Sequence, residues 1–382
     1  MGVLEEELKR CVLYFEENTN YMDNSLGYGL CRDKYPLSLD IASISSTGYS
    51  LAALVISCEL GWLDSKTAYN RALKSLKTIY DLNNVNGFYY HYLNYNNGNR
   101  ELNSEISIID TALLLCGVIC VGEYFKKEIK EYSIKILERV NWQWFLDTKC
   151  NMFYLGYKNH FYGHWDNYAE QLIIYILSAG SKSYPVMKDV YYKFNRNIKD
   201  GVIYSWFGSL FTYQYSHAWI NFSGLKDDNG IDWYKNSKLA TELNKDYCLS
   251  LNQQTFKLGY WGLSSTITNK RYSQRLGGEP SICKIKSDGT ISISSLASSI
   301  IFDDSVEELL ENLKEDYPLS FGKYGFITSV NLKRNVWYCS EYLGIDKGNT
   351  MLMICNHLNK LIWNLMIKNE CVKNGLNVLN IK

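Results

Sequence analysis

Proline is scarce in this chain, with only four prolines among 382 residues. Because proline removes a backbone donor and clashes with the preceding helical turn, its scarcity leaves long segments free to be helical. Charge of one sign is not in excess either, since 40 lysine and arginine residues balance 40 aspartate and glutamate residues. This balance gives no electrostatic reason to expect nucleic acid or an anionic membrane as a partner.

Cysteine pairs at redox or zinc-finger spacing are missing. The 11 cysteines are odd in number, include no C-x-x-C pair, and are scattered through predicted helices, which favours reduced thiols. The N-terminal segment is a charged amphipathic helix without the apolar core of a signal peptide. The longest apolar run, Ala112–Val121, is too short to span a bilayer. We therefore expect a soluble, cytoplasmic protein.

Aromatic residues are abundant: 32 tyrosines, 10 tryptophans and 14 phenylalanines make 15% of the chain. Tyrosine suits flat surfaces that also form hydrogen bonds, such as a sugar site. The alternative is a base-composition bias of the genome.

Glycine- and aromatic-rich loops join segments with helical spacing. After the N-terminal helix, one helix is predicted directly after Ser46–Thr47 and another begins near residue 64. Six more are predicted at about 107–125, 128–145, 167–179, 236–251, 305–317 and 351–366. Short hairpins are expected at 87–93 and 290–294. We interpret residues 1–382 as one all-α domain, a closed α/α toroid whose long loops line a cleft.

Capping-box spacing, a polar residue followed three positions later by an acid, occurs at Asn167–Glu170, Ser107–Asp110 and Ser305–Glu308. Taken alone, each pattern indicates a helix start and nothing more. The first two differ from the third because aromatic residues surround them. Two facing carboxylates are the minimum set for glycoside hydrolysis. Glu105 is a third candidate, and it is expected in the loop before the helix that carries Asp110.

Beyond these patterns, the chain resembles the glucoamylase-like domain family, which includes bacterial endo-β-1,2-glucanases. The resemblance extends from about Tyr14 to Trp363. It is carried by IASISSTGYSLAAL (41–54), GFYYHYLN (87–94), SEISIIDTALLLCG (104–117), HWDNYAEQLIIYILSAGS (164–181), SLFTYQYSHAWINF (209–222), NSKLAT (236–241), YWGLSS (260–265), SDGTISISSLASS (287–299), YGFITSVN (324–331) and GIDKGNTMLMICN (344–356).

The resemblance implies an (α/α)6 barrel with minor β-hairpins over a sugar-binding cleft, and activity on β-linked glucans. It implies that Glu170 is the general acid and that Asp110, helped by Glu105, is the second carboxylate. Several charged groups of the family pattern, most of them acids, are absent here. The departures are Asn103, Ser107, Asn221, Ser223 in place of an arginine, Thr328 and Ser329 around a lost aspartate, and Cys355.

The expected substrate-binding residues are Tyr90, His91, Trp165, Tyr168, Tyr215, His217, Trp219, Asp232, Trp261 and Asp288. For any single tryptophan, core packing is the alternative, and His217 has a hydroxyl or a backbone carbonyl as its expected partner. His160 and His164 have metal-ligand spacing, but Gly163 argues against one helical face, so we expect no metal and no cofactor. Asp227–Asp232 is expected to be a turn and not a calcium loop.

The leading hypothesis is a glycoside hydrolase or transglycosylase that acts on an oligosaccharide or polysaccharide. The alternative is a carbohydrate-binding relative with weakened or lost activity, because several acids are missing. A third possibility is an interaction protein that holds a peptide. The oligomeric state is left open.

Overall fold

The computed structural model describes residues 2–382, and the chain folds into two compact units built from interleaved segments. Unit 1 comprises Met1–Cys11, Asn167–Glu170 and Asn195–Asn359. Unit 2 comprises Val12–Asp166, Gln171–Phe194 and Lys360–Lys382.

Helices dominate the described residues. They are α1 (Val3–Asn18), α2 (Ile44–Glu59), α3 (Ser65–Asp81), α4 (Ile108–Phe125), α5 (Lys127–Glu138), α6 (Leu172–Ala179), α7 (Tyr215–Trp219), α8 (Trp233–Ser250), α9 (Gln254–Lys257), α10 (Ile293–Ser298), α11 (Val306–Asp316), α12 (Gly344–Asn359), α13 (Leu361–Met366) and α14 (Glu370–Val378).

The strands are short and lie between the helices. They are β1 (Lys34–Tyr35), β2 (Ile41–Ser43), β3 (Asn84–Val85), β4 (Phe88–Tyr89), β5 (Tyr92–Asn94), β6 (Ile106–Ser107), β7 (Leu146–Asp147), β8 (Met152–Lys158), β9 (His160–His164), β10 (Ile198–Lys199), β11 (Val202–Ile203), β12 (Thr266–Ile267), β13 (Tyr272–Ser273), β14 (Thr290–Ser292), β15 (Phe321–Gly322), β16 (Gly325–Phe326), β17 (Ser329–Asn331), β18 (Trp337–Tyr338) and β19 (Tyr342–Leu343).

Antiparallel strand pairings organise the loops of unit 2. Strand β2 pairs with β5, with Ser43 opposite Tyr92, and β8 pairs with β6, β7 and β9. In unit 1, β14 pairs with β17. A hairpin is predicted at 290–294, but Thr290–Ser292 instead pairs with a strand some 40 positions on, because the helices α10 and α11 intervene.

Side-chain caps explain where several helices begin. Ser43, Asp64 and Ser107 accept backbone N–H groups at the starts of α2, α3 and α4, and Asp232 does so for α8. The predicted starts near 64 and 107 are therefore confirmed.

Several predicted helix boundaries are wrong. Helix α2 begins at Ile44, before Ser46 and Thr47, and α8 begins at Trp233. Helix α6 begins at Leu172 with Gln171 at its N-cap position, so Asn167 is not its cap as predicted. The segment from 128 to 145 contains α5 and then a separate 3-10 turn at Trp142–Phe145. The segment 351–366 is divided between α12 and α13 by Lys360, whose φ is +59°. At Ser305 the described hydrogen bonds include no side-chain cap to α11.

The core of unit 2 is built on the close contact of α2 with α4. A Cβ added to Gly48 would lie 2.5 Å from the carbonyl oxygen of Leu113, and one added to Gly117 would overlap the carbonyl oxygen of Gly48. Only glycine lets the two backbones approach this closely. Helix α4 is long and apolar enough to cross a membrane, but 83% of it is buried inside the protein, as expected of a core helix.

In unit 1, a buried ion pair joins the start of α1 to α12. The Nζ atom of Lys347 lies 2.6 Å from Oε1 of Glu7 and donates to the carbonyl oxygen of Phe326 at 2.9 Å. The second Glu7 oxygen accepts the backbone N–H of Phe326 at 2.8 Å. Both charged side chains are almost fully buried, so each depends on the other for compensation.

Candidate active site

In unit 2, the imidazole of His91 lies between the carboxylates of Glu105 and Asp110. We call this group of residues, which comes from neighbouring segments of the chain, the acidic loop. His91 follows β4, Glu105 precedes β6, and Asp110 lies in the first turn of α4. Nδ1 of His91 lies 2.8 Å from Oε1 of Glu105, and Nε2 lies 3.8 Å from Oδ1 of Asp110. The backbone N–H of His91 also donates to the carbonyl oxygen of Glu105. This bond holds the segment after β4 beside the segment before β6.

The carboxylates keep this imidazole charged. Burial opposes the charged form, but Asp110 and Glu105 outweigh it and raise the pKa of His91 to about 9. The hydrogen bond from His91 in turn holds the pKa of Glu105 below its usual value. At neutral pH the loop therefore contains an imidazolium with an ionised Glu105 beside it.

Asp110 is held at the N-terminus of α4. The hydroxyl of Ser107 donates to Oδ2 of Asp110 at 2.6 Å and accepts the Asp110 backbone N–H at 3.2 Å. The capping box predicted at Ser107–Asp110 is therefore present. Since Oδ1 faces His91 as well, the same carboxylate both caps the helix and belongs to the acidic loop.

Asp33 is a further carboxylate of this loop, and the sequence reasoning missed it. Burial raises its pKa, and Asp110 adds to the effect, while the charge of His91 and a hydrogen bond from Ser43 oppose it. Residues 31–35, CRDKY, contain no periodic or capping pattern that indicates a site. The backbone N–H of Asp33 donates to the carbonyl oxygen of Ile41 on β2, and β2 pairs with β5, the strand that follows His91.

Tyr162 on β9 supplies an exposed aromatic ring near these acids. It is 40% exposed, and burial of its hydroxyl together with the charges of Glu105 and Asp110 raises its pKa. An exposed ring near paired carboxylates is the arrangement that stacks on a pyranose. The alternation in HFYGH (160–164) was the available signal, because Tyr162 shares a strand face with the two histidines.

Glu170 lies in the short segment Asn167–Glu170 of unit 1. Its backbone carbonyl accepts the hydroxyl of Ser216 at 2.7 Å, and its side chain is partly exposed. Asn197 donates to the side-chain oxygen of Asn167 at 2.9 Å, and Asn167 also forms a bridge with Asn195. These contacts fix the segment as a bend, so Glu170 is held outside any helix.

Tyr168, two residues before Glu170, belongs to a buried group of hydrogen-bonded side chains. The ring of Tyr168 stacks on Trp233 at 4.8 Å and 7°, and its hydroxyl hydrogen-bonds with Ser237. Ser237 lies 2.8 Å from Nε2 of His217, so His217 has the hydroxyl partner that we expected. Burial lowers the pKa of His217 to about 3, which leaves the imidazole neutral. Burial first, and then Tyr213 and Glu170, raise the pKa of Tyr168.

The other expected binding residues fall into two groups. Buried rings form the first: Trp165, Tyr215, Trp219 and Trp261. In the second group, Arg100 lies 4.7 Å from the centre of the Tyr90 ring, Asp232 caps α8, and the Oδ1 atom of exposed Asp288 accepts the N–H of Thr290. Contact of either group with a substrate stays a prediction.

The loop Asp227–Asp232 is a turn, as expected. Oδ1 of Asp227 accepts the backbone N–H groups of Asn229 and Ile231, at 2.9 and 3.0 Å. His160 is exposed at one end of β9 and His164 lies at the other. Four residues of strand separate them by about 13 Å, so this pair cannot share one ion.

The family is established by comparison with known proteins. The family model described as "Glycoamylase: Putative glucoamylase" matches residues 162–370, which is more than half of the chain. The chain therefore belongs to the glycoamylase family. This confirms the resemblance found in the sequence, and the match includes the Glu170 segment and helix α8.

Solved structures establish the fold. The endo-β-1,2-glucanase from Chitinophaga pinensis, solved with sophorotriose and glucose, has a TM-score of 0.87 and 21% identity, over 100% of this chain and 98% of that one. A β-1,2-glucanase from Parabacteroides distasonis has a TM-score of 0.83 and 18% identity, over 99% and 60%. The fold is thus the (α/α)6 barrel that was predicted.

A curated relative is an exo-β-1,2-glucooligosaccharide sophorohydrolase, acting at the non-reducing end, from Parabacteroides distasonis. It is 21% identical over an alignment of 408 positions, gaps included, which covers 91% of this chain. The match takes in 54% of the relative, so the chain spans about half the length of that enzyme.

Proposed function

We propose that the protein is a glycoside hydrolase that acts on β-1,2-linked glucooligosaccharides. The observation that carries the proposal is the acidic loop, in which Glu105 and Asp110 flank the charged imidazole of His91. Relatives named as β-1,2-glucan hydrolases support the substrate class. Transglycosylation, in which a sugar hydroxyl replaces water as the acceptor, uses the same groups.

We assign the roles by the chemistry of each group. Glu170 donates a proton to the leaving glycosidic oxygen, the role that the resemblance noted in the sequence implies for it, and it lies within residues 162–370 of the family match. Asp110 accepts the proton of the attacking water. Its hydrogen bond from Ser107 and its proximity to His91 hold it in one orientation. Glu105 is compensated by His91, so its role is to position the imidazolium and not to act as base.

An uncharged sugar substrate suits the residues that replace the charged groups of the family pattern. The acids missing from the family pattern are replaced by amides, hydroxyls and a thiol, which recognise uncharged sugar hydroxyls. Tyr162 offers an exposed ring for stacking. All 11 cysteines are free thiols, which favours action in a reducing compartment such as the cytoplasm.

Hydrolysis of β-1,2-glucooligosaccharides by the purified protein tests the proposal, with product sugars measured by chromatography. We expect Glu170→Gln and Asp110→Asn each to reduce kcat by about 10²–10⁴-fold, because each removes one proton-transfer group. Glu308→Gln is the matched control, since Glu308 shares the capping-box spacing but lies exposed on α11. An active Glu170→Gln enzyme would remove Glu170 from the mechanism.

The second candidate function is binding without turnover. The missing family acids favour it, in particular Thr328, whose side chain is buried and accepts the backbone N–H of Leu343 at 3.2 Å. Titration calorimetry with the same oligosaccharides distinguishes the two functions. Heat of binding without any product after long incubation supports a binding protein and contradicts the hydrolase.

A further inference from the structure

Three potential metal ligands converge in unit 2, apart from the acidic loop. One ligand atom from each of Asp147, Cys150 and His164 lies within 4.8 Å of the other two. Oδ2 of Asp147 lies 3.1 Å from Nε2 of His164. The Cys150 thiol lies 3.9 Å from the carbonyl oxygen of Asp147.

The backbone holds these ligands in place from two directions. Asp147 ends β7, and its Oδ1 accepts the backbone N–H of Lys149 at 3.0 Å, while its carbonyl accepts that of Asn151 at 2.8 Å. His164 ends β9, where its ring stacks on Tyr154 at 4.7 Å. The turn and the strand are thus fixed before any ion binds.

The distances fit a small tetrahedral ion. Zinc–nitrogen and zinc–oxygen bonds of about 2.0–2.1 Å place neighbouring ligand atoms about 3.3 Å apart. The 3.1 Å between Asp147 and His164 matches this spacing, and the ligand atom of Cys150 lies within 4.8 Å of both. His164 and Asp147 are 32% and 16% exposed, so an ion has access from solvent.

We propose that Asp147, Cys150 and His164 bind a divalent cation of the zinc class. The three donors are an oxygen, a sulfur and a nitrogen, which is a set that zinc accepts, and water completes the fourth position. The ion joins the turn after β7 to the end of β9.

A simpler explanation is a hydrogen bond between Asp147 and His164 alone. That explanation gives no role to Cys150, whereas the metal site requires its sulfur. A thiolate ligand produces an intense ultraviolet charge-transfer band with Co²⁺, and a carboxylate–imidazole pair does not. The two explanations therefore differ in a spectrum as well as in affinity.

The experiment uses the protein of residues 1–382, purified with a chelator that is then removed. Zinc binding is measured by competition with a chromophoric chelator, and Co²⁺ binding by absorption. We expect one equivalent of metal to bind, with a thiolate charge-transfer band. Cys150→Ser and His164→Ala should each weaken binding by at least about tenfold, and Cys150→Ser should remove the band.

Matched controls use a thiol and an imidazole outside the cluster, Cys283→Ser and His160→Ala. Cys283 is partly exposed, and His160 is exposed on the same strand as His164. Retained binding in both controls supports the site. The proposal is overturned if no stoichiometric binding occurs, if Cys150→Ser binds as the wild type does, or if the controls lose binding equally. Circular dichroism of each variant verifies that it is folded.

Discussion

At the scale of single residues, His91 explains how several acids coexist in one loop. Its two ring nitrogens face different carboxylates, so one cation compensates both Glu105 and Asp110. Removing it leaves these carboxylates near each other, and near Asp33, without a counter-charge. His91 is thus a structural requirement of the loop as well as a candidate contact for substrate.

Replacement of His91 by glutamine should destabilise the protein in a pH-dependent way. The folded pKa, about 9, lies above the unfolded value, so the charge stabilises the fold fully below about pH 6.5. This contribution is lost as the pH rises through 9. We expect His91→Gln to lower the free energy of unfolding on the order of 2 kcal/mol at pH 7, discounted because part of the side chain is exposed.

Urea denaturation of wild type and variant at pH 7 and pH 10 measures this effect. The difference between them should shrink at pH 10. His160→Gln is the control, because His160 is exposed at the hairpin, and its effect should not change with pH. An equal loss for His91→Gln at both pH values would show that the imidazole is not charged in the fold.

Residue types predicted part of this site. Asp110 and Glu105 were identified because they flank a helix start near an aromatic loop, and the structure places both beside His91. Asp33 was missed because its neighbours come from strands that are distant in sequence. The assignment of Glu170 came from family resemblance, and its catalytic role stays a prediction.

At the scale of secondary structure, local signals predicted helices only where no tertiary contact competes. Asp64 and Ser107 cap helices as their sequences indicate. Asn167 has the same local signal but no helix follows it directly, because Asn195 and Asn197 hold its backbone and side chain. Hydrophobic periodicity contains no information about such contacts. The helix start predicted at 167 is therefore five residues before the observed start of α6.

The contact between α2 and α4 provides a prediction at this scale. Gly117→Ala should lower the free energy of unfolding by more than about 2 kcal/mol, because the new methyl group overlaps the Gly48 carbonyl and must separate the helices. Asn70→Ala on α3 is the control, since Asn70 is exposed and alanine favours a helix. Chemical denaturation measures both.

If Gly117→Ala were as stable as the wild type, the helices would have to be less closely packed than described. Gly48→Ala provides a second test of the same contact. Its methyl group would lie 2.5 Å from the Leu113 carbonyl oxygen, on the facing helix. Both glycine variants should therefore be destabilised, and the double variant should lose less than the sum.

At the scale of the whole molecule, the fold class was predicted correctly. No pattern in the sequence indicated that the chain divides into two compact units. The helical pattern and family phrases led to the (α/α)6 barrel, which the solved relatives confirm. The interleaving of the two units depends on long-range contacts such as Glu7 with Lys347. That residues 1–382 act as one domain stays a prediction.

The buried pair of Glu7 and Lys347 gives the last prediction. Lys347→Met should lower the free energy of unfolding by about 3–5 kcal/mol, because it leaves a buried carboxylate without its cation. The double variant Glu7→Leu, Lys347→Met should recover part of this loss. Lys74→Met is the control, since its partner Asp23 is largely exposed, and no measurable change is expected.

Denaturation at low and high salt completes this comparison. Buried charges are screened little, so the effect of Lys347→Met should be independent of salt. A double variant less stable than Lys347→Met would contradict the account of an uncompensated carboxylate. Loss of stability in Lys74→Met would mean that exposed pairs matter more here than their geometry indicates.

The same ion pair has a consequence during protein synthesis. Glu7 leaves the ribosome 340 residues ahead of Lys347. At a translation rate of roughly 5–20 residues per second, Lys347 is synthesised about 20–70 s after Glu7. The nascent chain must therefore keep that carboxylate hydrated until residue 347 has been synthesised, and only then does unit 1 acquire this contact.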